Sequence, residues 1–141
     1  MFLIKVCIVF KARERLQWKD VRFLTKKRQV FSQGLLTIFY VEQYPNRKFH
    51  QFSFHIPLLV SKRAVVRHKV KRILINSLEK HIPLLNFWWK YYKCYITLHK
   101  MRLQQLLEIL DKKNSTQLVS YLENENIKAF TSFSHFLWKK H

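Results

Sequence analysis

Residues 64–74 read AVVRHKVKRIL and gather Arg67, Lys69, Lys71 and Arg72 around His68. On a helix that is about two and a half turns. Cations in this pattern do one kind of chemistry well, which is to hold phosphate oxygens. Arginine brings a forked donor, lysine a mobile point charge. Arg67 with Lys71, and His68 with Arg72, fall four residues apart on one side of such a helix. Unpartnered like charges at that spacing cost about 0.2–0.5 kcal/mol per pair. Yet residues 64–78 contain no Asp or Glu. A merely solvated face accepts acids as readily as bases, so solubility does not account for their absence. A polyphosphate does, and binding to one should weaken steeply with salt as counterions are released.

Other chemistries find little support. The seven His are scattered, and Cys94 with His99 offers only two metal ligands of the four a structural zinc needs. The single glycine, Gly34, rules out a glycine-rich phosphate loop. Only eight residues are acidic, with Asp20 in basic surroundings and Asp111 in a helical stretch, and no nucleophile motif marks a catalytic serine or cysteine. No catalytic residue and no protein-held metal are therefore assigned.

The whole chain carries the same bias: 27 Lys plus Arg against 8 Asp plus Glu, a formal +19. Self-repulsion of that size favours a polyanionic partner. Nucleic acid comes first and an anionic membrane second. At 141 residues, with twelve Phe, six Tyr and four Trp, the chain suits one domain with an ample core. Cys7 and Cys94 form no CxxC pair, which fits a reducing, cytoplasmic setting. The opening MFLIKVCIVF is interrupted by Lys5, is too short to span a bilayer and lacks a cleavage site. Residues 1–12 are read as an apolar extension, either a strand or a loosely attached segment.

The elements that must position the cations follow from periodicity. Trp18, Val21, Phe23 and Leu24 suggest a short helix within residues 13–31. LLTIFYVEQ, residues 35–43, reads as a strand, YPNR as a turn, and KFHQFSFHI, residues 48–56, as a second strand paired to the first. After Pro57, LLVSK continues extended. Val66, Val70, Ile73, Leu74 and Ser77 then form a stripe that faces a sheet, opposite the basic face, and Pro83 ends the helix. YYKCYITLH is a further strand. Leu103, Leu106, Leu107 and Leu110 mark an amphipathic helix, with NSTQ as a break after it. This is an α+β chain with a single small sheet, in the order α-β-β-β-α-β-α, and a crossover through the basic helix.

At residues 64–72 the sequence resembles the signature of the bacterial ribonuclease P protein subunit. That signature is Ala-Val, one residue, Arg-Asn-Arg, another residue, then Lys-Arg. Ala64, Val65, Arg67, Val70, Lys71 and Arg72 keep the pattern, while His68 and Lys69 replace Asn and the second Arg. ERLQWKDVRFL, LLTIFYV, YYKCYITLH and the Leu-rich helix stand where that family has its first helix, early strand, last strand and last helix. The usual Ser-Lys-Lys segment is either Ser61-Lys62-Arg63 with a shortened loop, or a segment beginning at Pro57 whose lysines are Leu58 and Leu59.

The resemblance covers residues 13–123 as an RNA-binding domain and implies a fold like the second domain of ribosomal protein S5. It implies a subunit that helps a catalytic RNA remove the 5′ leader from precursor tRNA. Lys62, Arg63, Arg67, His68, Lys69, Lys71 and Arg72 would hold the catalytic RNA, and Phe23, Phe31, Tyr40 and Phe52 would line a leader cleft. Mg2+ would be bound mainly by the RNA. The protein would be a monomer in a 1:1 complex with RNA, away from membranes. The rival reading is a structural RNA-binding protein, such as a ribosomal protein without processing activity. Residues 124–141, with Phe130, Phe133, Phe136 and Trp138, form a C-terminal tail, either disordered or docking back as a small apolar patch.

Overall fold

The computed structural model describes residues 15–27, 29–81 and 91–140. The readings of residues 1–12 and of Pro83 lie outside them. Helix α1 (Trp18–Lys27) leads into strands β1 (Val30–Gln33), β2 (Leu36–Glu42) and β3 (Gln51–His55). Helix α2 (Ala64–His81), strand β4 (Tyr92–Leu98), a short 3-10 turn (Lys100–Arg102) and helices α3 (Gln104–Asp111) and α4 (Ser115–Lys140) follow. The strands form one mixed sheet in the order β1-β2-β4-β3. The fold class is α+β, as the sequence implies.

Two strand assignments change. The expected pairing of residues 35–43 with 48–56 does not form, because β4 lies between β2 and β3. It runs antiparallel to β2, from Leu36 opposite Leu98 to Glu42 opposite Tyr92, and parallel to β3. Burial explains the placement. On β4, Tyr92, Cys94, Ile96 and Leu98 are buried on one face, and Tyr95 packs against α1 on the other. A strand covered on both sides belongs in the middle. On β3 only Phe52 and Phe54 are apolar, so it takes an edge. The β3-α2-β4 crossover is present as expected. The third strand is β1, which precedes β2; the segment after Pro57 is a turn closed by Val60 N–H to Pro57 O at 3.1 Å.

The hairpin is β1–β2, with Gln33 opposite Leu36 and Gly34 at φ +56° in the two-residue loop. That loop requires a positive φ, which glycine adopts without strain. Glu125 on α4 reaches the same loop and accepts the Leu35 N–H at 2.9 Å.

The core lies on one face of the sheet. Leu36, Ile38, Tyr40, Phe52, Phe54, Cys94 and Ile96 meet α2 through Val70, Leu74 and Leu78 and α4 through Phe130, Phe133 and Leu137. Leu103, Leu106 and Ile109 are buried at the α3 end, with Leu107 and Leu110 partly buried. The break after α3 is real: Lys113 takes φ 55°, and the Asn114 side chain accepts the Gln117 N–H at 3.1 Å as an N-cap. Helix α4 runs unbroken across residue 124. Of the two readings of the tail, docking is the one the structure holds. Phe133 sits 5.2 Å from the Tyr40 ring and 5.4 Å from Phe31.

His50 is enclosed beside the Tyr91 and Phe52 rings, and its Nδ1 accepts the Tyr92 N–H at 3.1 Å. Burial lowers its pKa from 6.5 to about 4.

Two outcomes follow. Gly34→Ala must hold a positive φ, and its Cβ would stand 2.6 Å from Glu125 Oε1. Chemical unfolding should show a loss of about 1–3 kcal/mol. His50 is neutral in the fold and protonates in the unfolded chain below pH 6.5. Its contribution is therefore complete above pH 6.5 and lost as pH falls towards 4, on the order of 3 kcal/mol in full. His50→Gln, read by unfolding at a series of pH values, should be less steeply destabilised across that window than the parent.

Candidate nucleic-acid interface

The start of α2 is fixed before its cations are displayed. Ser61 Oγ accepts the Arg63 N–H at 3.1 Å, and Arg67 Nη1 donates to the Ser61 carbonyl at 2.8 Å. Val70, Leu74, Ser77 and Leu78 then turn inward, with Val66 and Ile73 half-buried beside them. The expected apolar stripe is present, packed chiefly on α4 and β3.

The opposite side is basic. Lys62, Arg63, His68, Lys69 and Arg72 are exposed, while Arg67 and Lys71 are half-buried on the flank beside β3. Their proximity to β3 registers in His55, whose pKa is lowered by burial and then by Lys71 and Arg67. The ion pairs among the described residues are Lys80–Glu123 and Lys93–Asp20, and neither involves residues 62–72. Five of these seven side chains are exposed, and none of the seven is compensated by a carboxylate among the described residues.

Beyond β3 lies a groove. Leu16 N–H bonds the Phe52 carbonyl at 3.1 Å, so residues 15–16 run along the edge of the sheet. Arg15, Leu16, Ser53, Lys71 and Ile75 enclose a depression of about 350 Å³ floored by Phe52 and Phe54. Next to it, the sheet face opposite the core carries Phe39, Tyr95 and His55 in a row, with ring centroids 5.9 and 6.3 Å apart. Leu16 and helix α1, through Val21 and Leu24, cover part of this face. The helix is tied down by Lys93, whose Nζ lies 2.9 Å from Asp20 Oδ1 and 4.0 Å from the Tyr44 ring centre.

The four aromatics expected to line one cleft do not share a surface. Phe23 is 51% exposed on α1. Phe31 is partly buried against Phe133 and Phe136. Tyr40 and Phe52 are each only 4% exposed, and the Phe52 ring packs on Phe130. Strand alternation is the reason: Tyr40 shares parity with Ile38, and Phe52 with Phe54, so both point to the core. Arg15, His55 and Tyr95 are not singled out by the sequence. Phe39 is, as one of the strand aromatics that could stack on bases if it faced outward, and it is the one of Phe39, Tyr40, Phe52 and Phe54 that lies on the face opposite the core.

Cys94 is fully buried, and burial raises its thiol pKa, which makes it a poor nucleophile. His99 Nδ1 accepts the Met101 N–H and caps the turn after β4. Among the described residues no group of three or more His, Cys, Asp or Glu side chains converges, and no helix is long and apolar enough to cross a membrane.

The family model for Ribonuclease P matches residues 10–122. No curated protein matches. The RNase P protein from Thermotoga maritima superposes with a TM-score of 0.61 at 13% identity, over 82% of this chain and 93% of that one. The RNase P protein of Staphylococcus aureus gives 0.57 at 15% identity, over 85% and 99%. The fold is thus shared with both at low identity, and the family match runs from before α1 into α4. Together with a mostly exposed, uncompensated basic face on α2, it establishes that the chain belongs to the Ribonuclease P family, as the protein subunit that partners the ribonuclease P RNA.

Proposed function

We propose that this protein helps the catalytic RNA of ribonuclease P remove the 5′ leader from precursor tRNA, with the RNA performing the hydrolysis. The observation that carries the reading is the acid-free face of α2: His68, Lys69 and Arg72 are exposed, Arg67 and Lys71 are half-buried on its flank, and none has a carboxylate partner among the described residues. Lys62 and Arg63 extend it towards the entry loop. This face takes the catalytic RNA.

The leader takes the neighbouring surface. A single strand needs π-faces for its bases and cations for its phosphates. Phe39, Tyr95 and His55 supply the first, and Arg15 the second, with Lys71 at the border between this groove and the α2 face. Phe23 is exposed on α1, whereas Phe31, Tyr40 and Phe52 support the sheet from the core side.

Magnesium belongs to the RNA in this reading. Carboxylates that could hold a hard cation are scarce, and Asp20 and Glu125 are already engaged by Lys93 and the Leu35 N–H. The protein acts as one copy per RNA in the cytoplasm. Its own work is to bind, to orient the leader and to screen phosphate repulsion.

The test is reconstitution of leader removal with the cognate RNA at physiological magnesium. Stimulation supports the reading, and co-sedimentation with ribosomes without stimulation defeats it. Arg67→Ala with Arg72→Ala should keep the fold, with a loss of about 0.5–1.5 kcal/mol for the Arg67–Ser61 bond, bind the catalytic RNA more weakly, and flatten the slope of log affinity against log salt by about 2. Tyr95→Ala should weaken binding of precursor tRNA with a leader, by about 1–3 kcal/mol for one lost stack. Binding of mature tRNA should be unaffected.

A further inference from the structure

Helix α2 is a ridge with two flanks. Arg67 and Lys71 lie on the flank beside β3, whereas Lys69 lies on the other. There its Nζ donates to Ser115 Oγ at 3.0 Å, at the start of α4. Between the entry of α2, the α3–α4 turn and the first residues of α4 is a depression of about 500 Å³. Arg63, Lys69 and Lys113 line it, with Ser61, Ser115 and Asp111. Three cations face one carboxylate, and none of the three is ion-paired among the described residues.

Lys113 adds a second, independent observation. It is the non-glycine residue with a positive φ, 55°, among the described residues. Glycine closes a helix there without strain, and asparagine nearly so. Lysine here leaves a long cation at the turn that closes α3, beside Lys69 and Arg63 in the lining of the depression.

We propose that this depression holds a backbone phosphate of the ribonuclease P RNA, so that the RNA footprint crosses the ridge of α2 and reaches the α3–α4 turn. This rests on the assignment of α2 to the catalytic RNA and extends it to a surface outside the basic motif. Arg63 and Lys113 close on the phosphate from two sides, and Lys69 exchanges its Ser115 hydroxyl for a phosphate oxygen, a stronger, charge-assisted bond.

The test uses the full chain and Lys113→Gly, which removes the cation while suiting the backbone. Its thermal midpoint should be unchanged or higher, so that a binding defect is not a folding defect. Affinity for the catalytic RNA should fall about three- to tenfold near 0.15 M salt, and the salt slope should drop by about 1. Lys113→Arg should restore both. If Lys113→Gly binds with unchanged affinity and slope while Arg67→Ala with Arg72→Ala loses both, the RNA does not reach the turn and the proposal fails alone. If neither variant changes binding, the assignment of α2 fails with it. If inorganic phosphate raises the midpoint of the parent but not of Lys113→Gly, and RNA affinity is equal in the two, the pocket takes a free anion and the proposal is overturned.

Discussion

The repulsion among the α2 cations is held in check by what lies beneath them. Val70, Leu74 and Leu78 are each no more than 1% exposed against α4 and the sheet. Full burial of such side chains contributes about 1.5–3 kcal/mol apiece, against a few tenths for each like-charge pair. Packing therefore wins by a wide margin, and the charges can be set for a partner rather than for the helix. Asn126 reinforces the clamp by donating from Nδ2 to the Leu74 carbonyl at 3.1 Å, a buried tie between α4 and α2.

The sheet divides labour by parity. Residues of one parity on β2 and β4 fill the core, and those of the other present Phe39, Val41, Tyr95 and Lys93 to α1 and the groove. The Lys93–Asp20 pair is almost wholly enclosed, with side-chain exposures of 4% and 13%. A pair this buried adds little net stability, but loss of one partner strands the other, at a cost of about 3–5 kcal/mol. It fixes where α1 sits, and so how much of the aromatic row remains open. Lys93 is thus a positioning residue, despite being one cation among many in a basic sequence.

What the sequence disclosed, and what it withheld, divides along the range of the interactions. The basic helix, its apolar stripe, the last strand and the crossover were legible because each is written in local periodicity. The pairing of β3 was not, since it depends on β4 arriving from forty residues away and being covered on both faces. Strand β1 is only four residues long and mostly exposed, too weak a pattern to separate from the end of α1. The resemblance implies a cleft lined by Tyr40 and Phe52. Their parity, which sends them inward, outweighs it. The aromatics of α4 looked like a tail because their complement, Phe31 and Tyr40, lies far back in the chain.

That distance has a consequence during synthesis. The tie from Glu125 to the Leu35 amide spans ninety residues, and the inner surface of the sheet is roofed largely by Phe130, Phe133 and Leu137. Chain closure over such separations is slow. A nascent polypeptide emerging from the ribosome carries strands with uncovered apolar undersides until α4 follows, and surface exposed in that interval is open to aggregation.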